Sequence, residues 1–175
     1  MDAFAVLGLN PSLKLDPALL EQRYRDLQRQ LHPDKFVNAA PSMRRESLAR
    51  AVSVNEAYRL LRDDVSRAEL LLARYPGHEP AEGAADPGFL MEMMELREEL
   101  AEAKKGADLA RVGQLAATVS NQKMRASSDL ADSFDELARA PSDEAMRRAQ
   151  AALARLRYYR RFEEEVAAIE DAALG

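Results

Sequence analysis

The sequence predicts an all-α protein, and three observations support that prediction. Ala, Leu, Glu and Arg, all good helix formers, dominate the 175 residues. Glycine is scarce, at seven residues, and no run of β-branched residues alternates with polar ones as a strand requires. Apolar residues make up 47% of the chain, which is enough to bury a core. We therefore expect helices throughout, arranged as one large or two small domains.

Boundary signals define the first two helices. A short helix is expected at 2–7. Asp16 is a candidate cap and Pro17 suits the first helical position, so a second helix begins there and runs to about Leu31. It ends because Pro33 disfavours a helical residue before it. The apolar stripe of this second helix consists of Leu20, Tyr24, Leu27 and Leu31.

A helical hairpin is predicted next. An exposed loop should cover 32–40, Pro41 lies near the start of a third helix that reaches about Leu61, and a shorter fourth helix spans about 66–75. The core-facing side of the third helix is expected to carry Leu48, Ala51, Tyr58 and Leu61.

A change of composition marks a domain boundary. The segment 76–88 holds three Pro and three Gly among small and acidic residues, which is typical of a linker. We predict a first domain at 1–75, a linker at 76–87 and a second domain at 88–173. The second domain should be an antiparallel three-helix bundle with helices at about 87–104, 107–138 and 142–173.

Composition excludes several functions. The absence of Cys excludes a disulfide framework, a cysteine nucleophile and an iron–sulfur cluster held by thiolates on this chain. Two His are too few for a His-rich metal centre, and a net charge of -5 argues against nucleic acid as the main partner. The start lacks a cationic leader, and no run of about 18 apolar residues could span a membrane. We expect a bacterial cytoplasmic protein with no cofactor and no membrane partner.

The tripeptide His32-Pro33-Asp34 is the strongest functional signal. It lies between two amphipathic helices, where the rigid proline holds two short polar side chains that can form charge-assisted hydrogen bonds to a partner. Two alternatives remain. In the first, His32 only caps the preceding helix while Asp34 starts the next turn. In the second, the two residues form an acid/base or metal pair, and a metal site would need more His ligands than His78. Positive side chains accompany the tripeptide, namely Arg25, Arg29 and Lys35.

The helix at 87–104 has more apolar residues than one core stripe can use. Leu90, Met91 and Met94 lie outside the stripe and share a face with charged residues, so they form a candidate binding patch. The alternative is that they pack against the first domain. The expected core stripe is Phe89, Met93, Leu96 and Leu100.

These features resemble the J-domain of DnaJ-type co-chaperones, which carries His-Pro-Asp between two such helices. Residues 25–36 (RDLQRQLHPDKF) and 55–58 (NEAY) are more similar still to the HscB family, the J-type co-chaperones of iron–sulfur cluster assembly. The resemblance continues past the linker in 89–92 (FLME) and 95–100 (ELREEL), so it covers nearly the whole chain.

The resemblance implies a J-domain helical hairpin that stimulates the ATPase of a DnaK/HscA-type chaperone, and a second domain that binds the IscU-type scaffold on which clusters are built. Met94 and Tyr158 stand where the family pattern has Leu and Phe, so altered affinity is expected. The implied chaperone-binding residues are His32, Pro33, Asp34, Arg25, Arg29 and Lys35. The implied scaffold-binding residues are Leu90, Met91, Met94, Glu95, Arg97, Glu98 and Tyr158.

Three other functions would each require features of their own. A general J-protein would carry a Gly/Phe-rich tract and a Cys-rich zinc module, and neither occurs in the sequence. A helical adaptor would act without any chaperone. An enzyme would need a catalytic constellation that the sequence does not offer, so we expect that the chain is not an enzyme.

Overall fold

The computed structural model describes residues 2–76 and 86–174, and the chain divides into two units, Met1–Gly77 and His78–Gly175. The described residues form seven α-helices and no strand, which confirms the all-α fold class. No helix among them is long and apolar enough to cross a bilayer. Most of the predicted linker at 76–87 lies outside the described residues.

The first unit contains four α-helices that begin at local sequence signals. The Asp2 carboxylate accepts hydrogen bonds from the backbone at the start of α1, and Asp16 and Asp63 do the same for α2 and α4. Gly8 ends α1 with a φ of 63°, a left-handed conformation that suits glycine. The helices are α1 Ala3–Leu7, α2 Pro17–Gln30, α3 Pro41–Arg62 and α4 Asp64–Leu72.

Helix α3 packs against α1, α2 and α4, but not through all the residues expected. The prediction for Leu48 is wrong, since its side chain is 65% exposed. Leu61 is fully buried as predicted, whereas Ala51 and Tyr58 are half-buried. Compared with the predicted stripe, the buried face of α3 is rotated about the helix axis and carries smaller residues. Its buried residues are Ser47, Val54, Ala57 and Leu61.

Helix α2 is only lightly anchored to this core. Leu20 is its one buried residue, and the other members of the predicted stripe, Tyr24 and Leu27, are half-buried. Leu31, just past the helix end, is half-buried as well. The contact between α2 and α3 therefore includes side chains that keep one edge in water.

Three helices form the second unit, with side-chain pairs that fix their directions. Glu99 pairs with Arg111 and Glu92 with Gln122, so α5 and α6 run antiparallel. Lys123 binds Glu163 and Arg148 pairs with Glu136, so α6 and α7 are antiparallel as well. The predicted antiparallel three-helix bundle is thus the fold observed. The helices are α5 Pro87–Lys105, α6 Leu109–Arg139 and α7 Asp143–Leu174.

Helix α5 lies along only part of the long α6–α7 hairpin. It has 19 residues, against 31 in α6 and 32 in α7. Phe89, near the start of α5, already meets Tyr159 in the middle of α7. Helix α5 buries Phe89, Met93 and Leu100 as the sequence predicted, while Leu96 is half-buried.

Candidate functional site

The His32-Pro33-Asp34 tripeptide opens a short 3-10 turn, Pro33–Phe36, between α2 and α3. The His32 Nδ1 accepts a hydrogen bond from the Asp34 N–H at 3.3 Å, and the His32 carbonyl accepts one from the Lys35 N–H at 3.0 Å. The prediction of a plain loop over 32–40 is therefore wrong in this part. The reason is that Pro33 at the first helical position fixes a φ angle that favours a helical turn.

The polar groups of this turn are open to solvent. The side chain of His32 is 59% exposed and that of Asp34 is 86% exposed, with the His32 Nδ1 and Asp34 Oδ2 atoms 3.4 Å apart. Pro33 and Lys35 are also exposed. A rigid corner with an imidazole, a carboxylate and an ammonium group can make directional, charge-assisted hydrogen bonds to another protein.

Two arginines lie on the exposed surface of α2, one helical turn apart. The side chains of Arg25 and Arg29 are 71% and 77% exposed. Each is held by a carboxylate of its own helix: Arg25 Nε donates to Glu21 Oε1 at 2.7 Å, and Arg29 pairs with Asp26. Helix α2 thus offers two oriented positive charges in the turns that precede His32.

Two tyrosines join α2 to α3 beside these arginines, a contact that the sequence pattern does not reveal. The rings of Tyr24 and Tyr58 stack with centroids 4.1 Å apart and planes 18° apart. The Tyr58 hydroxyl donates to Glu21 Oε2 at 2.5 Å, and the Tyr24 hydroxyl donates to Asn55 Oδ1 at 3.0 Å. Tyr24 stands in the predicted apolar stripe of α2, which indicates that it contacts another helix. Its partners are not visible in the sequence, because the two hydrogen bonds join residues that are 31 and 37 positions apart.

The bond between Tyr58 and Glu21 sets the ionisation of both groups. Hydrogen bonds from Tyr58 and then from Arg25 lower the pKa of Glu21, because they favour its ionised form. The same bond to Glu21, assisted by burial, raises the pKa of the Tyr58 hydroxyl. The pair therefore keeps one donor and one acceptor across the neutral range.

The second unit presents the predicted patch on the outer side of α5. Met91 and Met94 are 65% and 64% exposed, while Leu90 beside them is half-buried. Glu95 and Glu98 are exposed along the same helix. Flexible apolar side chains rimmed by charge are typical of a protein-binding surface.

Contacts from α7 support this patch. The Phe89 ring lies edge-on to Tyr158 at 5.6 Å and to Tyr159 at 5.5 Å, so half-buried Tyr158 lies next to the residue that precedes Leu90. Burial raises the pKa of Tyr159. The family resemblance implies Tyr158 at this patch, whereas the sequence marks Tyr159 only as a member of an apolar stripe of the last helix.

Arg97, one of the predicted patch residues, is tied to α7 by charge. Its Nη2 lies 3.2 Å from Glu165 Oε1, and its side chain is 36% exposed. Its Nε is buried and has no hydrogen-bond partner among the described residues. The structure thus fixes Arg97 at the edge of the patch through Glu165, a residue that the sequence analysis did not single out.

Neither surface offers a metal centre. Among residues 2–76 and 86–174, no group of three or more His, Asp and Glu side chains could hold a metal ion. Both surfaces expose polar and apolar side chains of the kind that protein-binding surfaces carry.

Two family models match the chain, one in each unit. The DnaJ domain model matches residues 2–70, and the model described as the HSCB C-terminal oligomerisation domain matches residues 85–167. The first match includes the histidine turn and α2. The second includes the whole patch on α5 together with Tyr158.

Relatives and solved structures agree with these matches. The co-chaperone protein HscB homologs of Vibrio vulnificus (strain YJ016) and Vibrio atlanticus (strain LGP32) are 42% and 43% identical over 110 residues, which is 62% of this chain and 64% of each relative's length. The chaperone HscB from Vibrio cholerae superposes with a TM-score of 0.82 at 32% identity, over 98% of this chain and 99% of that one. Human co-chaperone protein HscB gives a TM-score of 0.82 at 28% identity, over 97% of this chain and 82% of that one. The chain belongs to the HscB family of co-chaperones.

Proposed function

We propose that this chain stimulates the ATPase of a DnaK/HscA-type chaperone and delivers an IscU-type iron–sulfur scaffold protein to it. The observation that carries the proposal is the exposed His32-Pro33-Asp34 turn in the unit that the DnaJ domain model matches. In this proposal residues 1–75 are the J-domain and residues 88–173 are the scaffold-binding domain. The chain acts in the bacterial cytoplasm and needs no cofactor of its own.

The histidine turn acts on the chaperone through binding alone. A partner can shift an equilibrium only by binding one state better than the other. Contacts from His32 and Asp34, with positive charge from Arg25, Arg29 and Lys35, favour the state of the chaperone that hydrolyses ATP. The co-chaperone itself is unchanged by the reaction.

The patch on α5 binds the scaffold. Leu90, Met91, Met94 and Tyr158 supply apolar area, and the adjacent Glu95, Arg97 and Glu98 supply charges that orient the partner. Since the chain has no Cys, the cluster is cargo whose ligands lie on the scaffold. Holding both partners raises the effective concentration of the scaffold at the chaperone.

Single-turnover ATP hydrolysis by the chaperone tests the first half of the proposal. Wild-type protein should accelerate hydrolysis, and His32→Gln should abolish the acceleration at equal folded concentration. Asn38→Ala is the matched control, because Asn38 is exposed just beyond the turn. If the wild-type protein does not accelerate ATP hydrolysis by any DnaK/HscA-type chaperone of the same cell, the proposed stimulation of the chaperone is refuted.

Calorimetry with the scaffold protein tests the second half. The triple variant Leu90→Ala/Met91→Ala/Met94→Ala should bind at least about tenfold more weakly, because it removes the central apolar contacts. Met124→Ala is the control, since Met124 is equally exposed, at 62%, but lies on α6. An unchanged affinity in the triple variant would rule out the patch as the scaffold site.

A further inference from the structure

Glu21, on α2, is bonded at both of its carboxylate oxygens, once to α3 and once within its own helix. Its Oε2 accepts the Tyr58 hydroxyl of α3 at 2.5 Å, and its Oε1 accepts Arg25 Nε of α2 at 2.7 Å. A carboxylate held from two sides has little freedom to rotate. The chain of contacts therefore runs from the stacked tyrosines, through Glu21, to an arginine on the exposed surface.

The contact matters for Arg25 because a long exposed side chain is otherwise free to move. Its side chain is 71% exposed, and only its Nε is engaged by Glu21. Among the described residues the two terminal amino groups of Arg25 have no hydrogen-bond partner, and such a pair of donors can bind a carboxylate in a bidentate manner. An arginine fixed in this way loses less conformational entropy when it binds.

We propose that Tyr58 is a positioning residue that, through Glu21, holds Arg25 in the orientation in which α2 meets the chaperone. This inference rests on the proposed chaperone function. It assigns to Tyr58 an effect on affinity, not on the hydrolysis step.

The chain supplies a matched control in the other half of the same ring pair. Tyr24 stacks on Tyr58 and also donates one hydrogen bond from its hydroxyl across the two helices, to Asn55. The Asn55 Oδ1 atom that accepts this bond also accepts one from Gln28, which is uncharged. Phe in place of either tyrosine preserves the stack and removes one hydroxyl. Tyr58→Phe loses the hydrogen bond to Glu21, whereas Tyr24→Phe loses the hydrogen bond to Asn55.

The experiment is the dependence of single-turnover ATP hydrolysis on co-chaperone concentration, with the full chain. Tyr58→Phe should raise the half-maximal concentration about threefold and leave the maximal rate unchanged, because one side chain must now be ordered on binding. Tyr24→Phe should stay close to wild type. If the two variants behave alike, the positioning role of Tyr58 is refuted.

Arg25→Ala separates positioning from a general effect on the hairpin. If Tyr58 acts through Arg25, adding Tyr58→Phe to Arg25→Ala should cause no further loss. An equal loss in both backgrounds would show that Tyr58 serves only the structure of the hairpin and would overturn the inference. Absence of stimulation by wild type is a different outcome, which refutes the proposed function itself.

Discussion

Replacement of Arg67 by Ala should destabilise the first unit more than any surface substitution. The residue is 8% exposed, and its guanidinium reaches three parts of the unit. Nε donates to the Leu13 carbonyl at 2.9 Å, Nη1 donates to the Leu61 carbonyl at 2.7 Å, and Nη2 pairs with Asp64. One side chain therefore ties the segment before α2 to the α3–α4 corner.

The expected loss follows from these bonds. Leaving a buried acceptor without its donor costs about 1–3 kcal/mol. The bond to the Leu61 carbonyl is buried and the bond to the Leu13 carbonyl is partly buried. The Asp64 side chain is 79% exposed, so its ion pair adds little. Together these terms predict a loss of about 3 kcal/mol in the free energy of unfolding for Arg67→Ala.

Urea denaturation followed by circular dichroism of the full chain measures this loss. Arg67→Lys should fall between wild type and Arg67→Ala, because a lysine keeps the charge but cannot reach both carbonyls. Arg62→Ala is the control: Arg62 is exposed, and its removal should change stability by less than about 0.5 kcal/mol. A loss below about 1 kcal/mol in Arg67→Ala would show that water replaces the guanidinium and would refute the reasoning.

Three further predictions concern the first unit. Gly8→Ala should cost about 1 kcal/mol in urea unfolding through backbone strain alone, since φ is 63° and no atom lies within 4 Å of the added Cβ; an unchanged midpoint would contradict this. Leu61→Ala should lower the free energy of unfolding by about 2–5 kcal/mol and Leu48→Ala by less than about 0.5 kcal/mol. The reverse order would show that α3 buries Leu48 and not Leu61. Because the pKa of Glu21 is lowered on folding, its ionised form stabilises the unit above the ordinary value of 4.5 and this contribution is lost as the pH falls below it. The stability difference between wild type and Glu21→Gln should therefore shrink as the pH falls through and below 4.5, and a constant difference would argue against the Tyr58 contact.

The starts of α2 and α5 were predictable because their signals are local, whereas α4, predicted at about 66–75, spans Asp64–Leu72. Asp16 before Pro17 caps α2, and Asp86 before Pro87 caps α5, each within a few residues of the helix that it starts. Capping depends on the backbone within one turn, so no knowledge of the tertiary structure is needed. Gly8 likewise ends α1 where the sequence placed its end.

The buried face of α3 was not predictable in the same way. Leu48 and Ser47 are neighbours on the helix, and hydrophobicity alone favours burial of the leucine. The structure buries Ser47 at 6% exposure, where its hydroxyl donates to the Leu31 carbonyl at the end of α2 at 3.3 Å. Which residue turns inward depends on where α2 ends in space, and periodicity within α3 does not contain that information.

In the candidate site, too, local features were predictable from the sequence and contacts between distant residues were not. The sequence located the histidine turn and the outward face of α5, because each is a continuous segment whose pattern is visible in a few residues. It did not locate Glu21 beside Tyr58 or Arg97 beside Glu165, because those pairs join helices far apart in sequence. The roles of the predicted binding residues themselves stay predictions for the assays above.

The light anchoring of α2 has a consequence for local opening of the fold. Of its 14 residues only Leu20 is buried, whereas the shorter α4 buries five residues, including Leu71 and Leu72. Segments with few buried apolar contacts exchange their amide hydrogens through low-energy local opening. The amides of α2 should thus exchange faster than those of α3 and α4, and the helix that carries Arg25 and Arg29 is the one whose protection a bound partner would raise most.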